Sequence, residues 1–119
     1  MSEHILVGHF LTRAQAARRA GVSQDELTHR PDVLHVGGTW LPEVYFAFQF
    51  SDHGIRPDLA TAVRILHKRY DDIDIADWLA RPNHQLGLIT PLHWSAMGHD
   101  PHRLTAASRA ALNGARPAR

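Results

Sequence analysis

The chain has 119 residues, 44% of them hydrophobic, a formal net charge of +1 and no cysteine. That length and composition suit one domain, or two small ones sharing a core, and exclude a disulfide framework and thiolate zinc sites. No apolar run approaches the ~18 to 20 residues that cross a bilayer, and residues 1–10 lack the basic-then-apolar order of a secretory signal, so a cytoplasmic protein with no membrane association is expected.

Charge is unevenly spread. Residues 1–60 carry five Arg and no Lys against seven acids, whereas residues 61–119 carry eight Lys and Arg against five Asp. A basic stripe, the usual footprint of a nucleic-acid partner, is therefore not a property of the first half.

Local signals begin at LTRAQAARRAGVSQDEL, residues 11–27. Thr12 and Gln15 form a capping-box pattern, the alanines favour helix, and Gly21 stands where a left-handed residue ends one. Ser23 and Glu26 repeat the box and start a second short helix, which Pro31 keeps short. Leu11, Ala16, Val22 and Leu27 are available to fill the angle of this helix-turn-helix outline. Two β-prone runs around Gly37-Gly38 read as a hairpin, residues 33–36 and 39–41. From Val44 to Phe50, Val44, Phe46, Phe48 and Phe50 alternate with Tyr45, Ala47 and Gln49; period two predicts a strand with one buried aromatic face, a short helix being the alternative. Asp52-His53-Gly54 is a turn, and Pro57 opens a helix with Leu59, Ala62, Val63, Leu66 and Tyr70 at helical spacing. A short helix over residues 74–80 uses Ile73, Ile75, Ala76 and Leu79 and stops at Pro82-Asn83. Thr90-Pro91 and Asp100-Pro101 start two more helices, the last carrying Leu104, Ala107 and Leu112. The connector between Pro82-Asn83 and Thr90 is expected to tuck Leu86, Leu88 and Ile89 beneath it. The fold class that follows is α+β, mainly α: a helix-turn-helix with a small β hairpin or strand element, then a C-terminal helical bundle. Its expected units are residues 1–43, residues 44–112 and a mobile tail, 113–119.

Ten histidines invite a metal reading, and His93, His99, His102 and Asp100 lie close in sequence. There is no His-Glu-x-x-His pair and no cysteine, so neither a metal nor a cofactor is expected. No Ser-His-Asp order or Gly-rich phosphate loop stands out. Asp71, Asp72, Asp74 and Asp77 suit a helix start without any catalytic role. No catalytic residue is assigned, and the chain is read as a non-enzyme.

Two resemblances supply function. LTRAQAARRAGVS followed by VLHVGGTW resembles the excisionase/MerR-like helix-turn-helix family, over about a third of the chain. That implies a recognition helix from Ser23 in the major groove, with Gln24, Thr28 and Arg30 toward bases or phosphates and Arg13, Arg18 and Arg19 on the phosphate backbone. Asp25 and Glu26 depart from the pattern, since carboxylates there repel phosphate. DWLARPNHQLGLITPLHWS resembles the toxin-binding domain of Xre/MbcA/ParS-type antitoxins through Trp78-Leu79, Pro82-Asn83, Leu86 and Thr90-Pro91, within a match over residues 45–112. Here it departs by carrying Leu88-Ile89 before Thr90, and His93 and Trp94 after the proline. This second resemblance implies an antitoxin that neutralises a RES-type, NAD-degrading toxin, with toxin contacts at Asn83, His84, His93, Arg103 and Arg109, and with autoregulation by operator DNA. A homodimer is expected, its face supplied by Trp40, Tyr45 and Trp94. The alternatives are a stand-alone helix-turn-helix regulator and an adaptor whose helix-turn-helix contacts only protein.

Overall fold

The computed structural model describes residues 10–37 and 42–113. In chain order these form β1 (Phe10–Thr12), α1 (Arg13–Ala20), α2 (Gln24–Thr28), β2 (His35–Val36), β3 (Val44–Phe46), a 3-10 turn (Ala47–Gln49), β4 (Phe50–Ser51), β5 (Gly54–Ile55), α3 (Pro57–Leu66), α4 (Asp72–Ala80), a second 3-10 turn (His84–Leu86), α5 (Pro91–Ala96) and α6 (Pro101–Leu112). The class is α+β and mainly α, with a helix-turn-helix first and four helices in the second half.

The helix-turn-helix follows from its caps. Thr12 N donates to Gln15 Oε1 (2.9 Å) and Gln15 N to Thr12 Oγ1 (3.1 Å), a complete capping box. Gly21 closes α1 at φ 75°, a left-handed conformation that costs a side-chain-bearing residue free energy. The second box forms by half: Glu26 N donates to Ser23 Oγ (3.0 Å), while the Glu26 side chain turns to Arg30 at 3.5 Å. Ala16 and Leu27 are fully buried in the angle, with Leu11 and Val22 packed against them.

The hairpin expected around Gly37-Gly38 lies partly outside the described residues. Within them, β2 pairs antiparallel with β3, His35 opposite Tyr45 and Val36 opposite Val44. β1 flanks β3 on its other side, so β3 is the central strand of β1-β3-β2. Gly37 is held at φ 89°, and a Cβ there would run into the Pro42 carbonyl oxygen.

The aromatic run is neither one strand nor buried on one face. Tyr45 (0% exposed) and Phe46 (1%) are neighbours pointing to opposite faces, yet both are buried. The reason is a core on each side of the strand. Tyr45 joins Ala16, Ala17, Leu27, Val33 and Phe50; Phe46 joins Leu34, Leu59, Leu66, Ile75, Leu79, Leu86 and Leu104. After Phe46 the chain turns into 3-10 geometry, and the Gln49 amide replaces a strand backbone: it accepts from Leu34 N (2.8 Å) and donates to Leu34 O (2.7 Å). Both polar ends of this buried glutamine are thereby satisfied.

The helices of the second half pack by small residues. Leu104, Ala107, Ser108 and Ala111 recur at helical spacing on α6 and lie buried against α3, whose own buried face includes Leu59, Val63 and Leu66. Arg69 Nη1 donates to Leu112 O (2.7 Å) and the Tyr70 hydroxyl to Ala111 O (3.1 Å), satisfying carbonyls at the end of α6. α4 starts two residues earlier than the spacing predicts, because Asp71 caps it through Asp74 N (2.9 Å). Ile73 is 55% exposed, not core: at about 100° per residue, Ile75, Ala76 and Leu79 share a face more than a quarter-turn away.

A polar clasp ties the two halves. His67 lies between the Pro31 carbonyl oxygen (Nδ1, 2.6 Å) and Asp72 Oδ1 (Nε2, 2.8 Å), while Asp72 Oδ2 accepts from His35 N (2.8 Å).

Burial raises the Tyr45 phenol from 10.0 to about 12, and its donation to Glu43 adds to the rise. A folded-state value above the unfolded one means stability that is complete below pH ~10 and lost as pH climbs toward 12. Denaturant melts at stepped alkaline pH should show this extra loss in the parent chain and not in Tyr45→Phe; parallel curves for the two would contradict it.

Candidate functional site

Two surfaces carry the residues singled out by sequence. On the helix-turn-helix, Arg18 and Arg19 are exposed in the last turn of α1 and make no ion pair among the described residues. Arg13 is drawn to Glu43 (3.7 Å). Arg30 is held bidentately by the buried Asp32, Nε and Nη2 each at 2.9 Å, which raises its pKa and occupies the fork that would grip a base or phosphate. Thr28 Oγ1 donates to Gln24 O (3.1 Å) within α2. Gln24 is exposed on α2, and so are Asp25, whose side chain is 94% exposed, and Glu26. The exposed surface of α2 is therefore acid-bearing, with its one nearby arginine already neutralised.

The second surface is built on the connector between α4 and α5. Asn83 organises it. Its carbonyl accepts from Leu86 N (3.0 Å) and Leu88 N (2.8 Å), its amide N donates to Ile89 O (3.2 Å), and its side chain accepts from Gln85 N (2.8 Å). These bonds engage the Asn83 backbone and its side-chain oxygen in shaping the loop. Leu79, Leu86 and Pro91 are buried, Trp78, Asn83, Ile89 and Thr90 are half-buried, and Pro82 is exposed. Leu88 breaks the expectation. It is 60% exposed, and with φ 68° it is the only residue other than glycine in the left-handed region among those described. A leucine there costs about 1–2 kcal/mol, and nothing beneath the loop repays it by burying the side chain.

Arg103 at the start of α6 closes the loop's other flank. Its Nη2 donates to Gln85 O (2.9 Å), and its guanidinium lies 5.4 Å from the centre of the Trp94 ring. Trp94 is 8% exposed, its Nε1 donates to Asp100 O (2.8 Å), and His99 packs on it at 4.7 Å. Neither Trp94 nor Tyr45 can supply the expected dimer face, because both are consumed by packing; Trp40 lies outside the described residues. Among the toxin-contact candidates, Arg103 reaches the connector at Gln85, the chain neighbour of exposed His84. Arg109 stands about 9 Å further along α6 and about a third of a turn round it.

His93 belongs to a different feature, an open groove of about 420 Å³ between the first 3-10 turn and α5. Phe48, Phe50 and Leu59 line one side, Thr90, Leu92, His93 and Ala96 the other, and Arg56 also lines it. Arg56 and Leu88 are the residues that reading the sequence missed. Arg56 lay outside every motif, and only the left-handed backbone distinguishes Leu88 from the core leucines around it. Among the described residues no three His, Asp or Glu converge as metal ligands, and no helix is long and apolar enough to cross a membrane.

Compared with family models, with curated proteins and with solved structures, the chain matches none.

The strain at Leu88 has a measurable consequence. Leu88→Gly should raise the unfolding free energy by about 0.5–1 kcal/mol, the left-handed penalty less glycine's extra unfolded-state entropy. Chemical denaturation reads this directly, and a net loss of stability would show that the side chain is held by packing.

Proposed function

We propose that the chain is a non-catalytic, partner-binding protein of antitoxin type, whose connector surface docks on a RES-type toxin. The observation that carries this reading is Leu88: a leucine kept in a costly backbone conformation and turned outward, on a loop whose backbone is otherwise well satisfied. Strain of this kind collects at ligand clamps and binding loops, and an apolar side chain on a rigid loop loses little entropy on docking. Arg103, bonded to Gln85 of the same connector, gives this surface a positive charge, suited to an acidic rim on the partner. The Trp-Leu, Pro-Asn, Leu, Thr-Pro series of the antitoxin pattern supports the same reading, since Leu79, Leu86 and Pro91 are the buried residues from which the loop projects.

Operator contact through α1 and α2 is the second reading. Exposed Arg18 and Arg19 favour it for phosphates; Asp25 and Glu26 oppose base reading by α2. A homodimer joined through surfaces other than Tyr45 and Trp94 is compatible with either reading.

The test uses the full chain and the purified product of the adjoining reading frame. Leu88→Gly and Arg103→Glu should each weaken the complex about tenfold or more, tenfold being ~1.4 kcal/mol, and should reduce protection against NAD consumption by that partner. Wild-type affinity in both variants would overturn the assignment.

A further inference from the structure

We infer that the groove beside α5 receives an acidic-apolar segment of the docked protein, an apolar side chain with a carboxylate next to it. The inference rests on the docking reading above and deepens it by stating what the partner presents. Phe48, Leu59, Leu92 and Ala96 make the walls apolar, and about 420 Å³ gives room for a side chain or two; built ligand sites start at roughly 300 Å³. The groove carries one fixed charge, Arg56, and no Asp or Glu lines it.

Arg56 is placed for an anion. It is half-buried at the N-cap of α3, and its backbone N donates to Gln49 O (2.9 Å), which fixes the residue's position. Its guanidinium makes no ion pair or hydrogen bond among the described residues. The closest acid in sequence is already engaged: Asp58 Oδ1 accepts from Ser95 Oγ (2.9 Å) and from Leu59 N (2.9 Å). A planar fork of donors beside an apolar wall matches a carboxylate bidentately. A nucleic-acid strand would demand a row of cations, because its affinity grows with each phosphate neutralised; the groove has one. Thr90, Leu92 and His93 follow the connector directly in sequence, so this wall starts two residues after Leu88.

The experiment titrates full-length chain with the adjoining-frame product by calorimetry. Arg56→Glu should cost at least tenfold in affinity and flatten the salt dependence, while Arg56→Lys, which keeps the charge and loses the planar fork, should weaken binding by less than Arg56→Glu does. Both should keep the parent melting curve, since a glutamate at a helix start suits the dipole. In the same complex, a photo-crosslinker in place of Ala96 should label a partner peptide containing Asp or Glu beside an apolar residue. Unchanged binding by Arg56→Glu, labelling of an acid-free peptide, or labelling of a second copy of this chain would each overturn the groove assignment alone. Absence of any complex with the unmodified chain would instead remove the docking reading, and this inference with it.

Discussion

Strand β3 has no solvent face. Tyr45 and Phe46 point in opposite directions and each enters a packed cluster, so the helix-turn-helix and the C-terminal helices share a wall rather than a linker. Val33 and Leu34 divide in the same way, one into each cluster. Two polar connections between the halves reinforce this arrangement: Gln49 completes the pairing of Leu34, and the His67–Asp72 clasp holds the backbone at Pro31 and His35. Neither half can expose its side of the strand without leaving large apolar side chains in water, at about 25 cal/mol per Å². The two candidate surfaces are consequently held in one fixed relation.

That rigidity is what gives the connector its meaning. A loop with free backbone groups would relax and let Leu88 leave the left-handed region. Here Asn83 takes up the amides of Leu86 and Leu88 through its carbonyl and that of Gln85 through its side chain, Ile89 bonds back to it, and Arg103 holds Gln85 from α6. The strained leucine is imposed by its surroundings. On the helix-turn-helix the opposite has happened: Arg30 is neutralised by Asp32 and Arg13 is drawn to Glu43, while α2 exposes carboxylates. Two of its arginines are thus engaged within the fold, while Arg18 and Arg19 stay exposed.

Much of this architecture was legible because helix ends are local. Thr12 with Gln15, Gly21, Pro57, Thr90-Pro91 and Asp100-Pro101 act over three or four residues, and each marks an end that the structure realises. Burial is not local. Alternation in residues 44–50 predicts one buried face only if a single core exists, and the second core, from α1 and α2, buries Tyr45 as well. Leu86 and Leu88 are indistinguishable by type; backbone conformation sends one inward and the other outward. The pairing of Arg30 depends on the bend at Pro31, and the groove depends on α5 lying beside a 3-10 turn that the residues first suggested as strand. The connector's scaffold, His84 and Arg103 were therefore legible in advance, and the outward turn of Leu88 and the groove residue Arg56 were not.

The claim on which the account turns is that the connector and α5, not the helix-turn-helix, meet the partner protein. Hydrogen exchange of the full chain, alone and saturated with the adjoining-frame product, tests it most directly. The account predicts new protection of backbone amides over residues 84–97, with residues 13–30 unchanged. Protection confined to α1 and α2, with the connector exchanging as in the free chain, would contradict it.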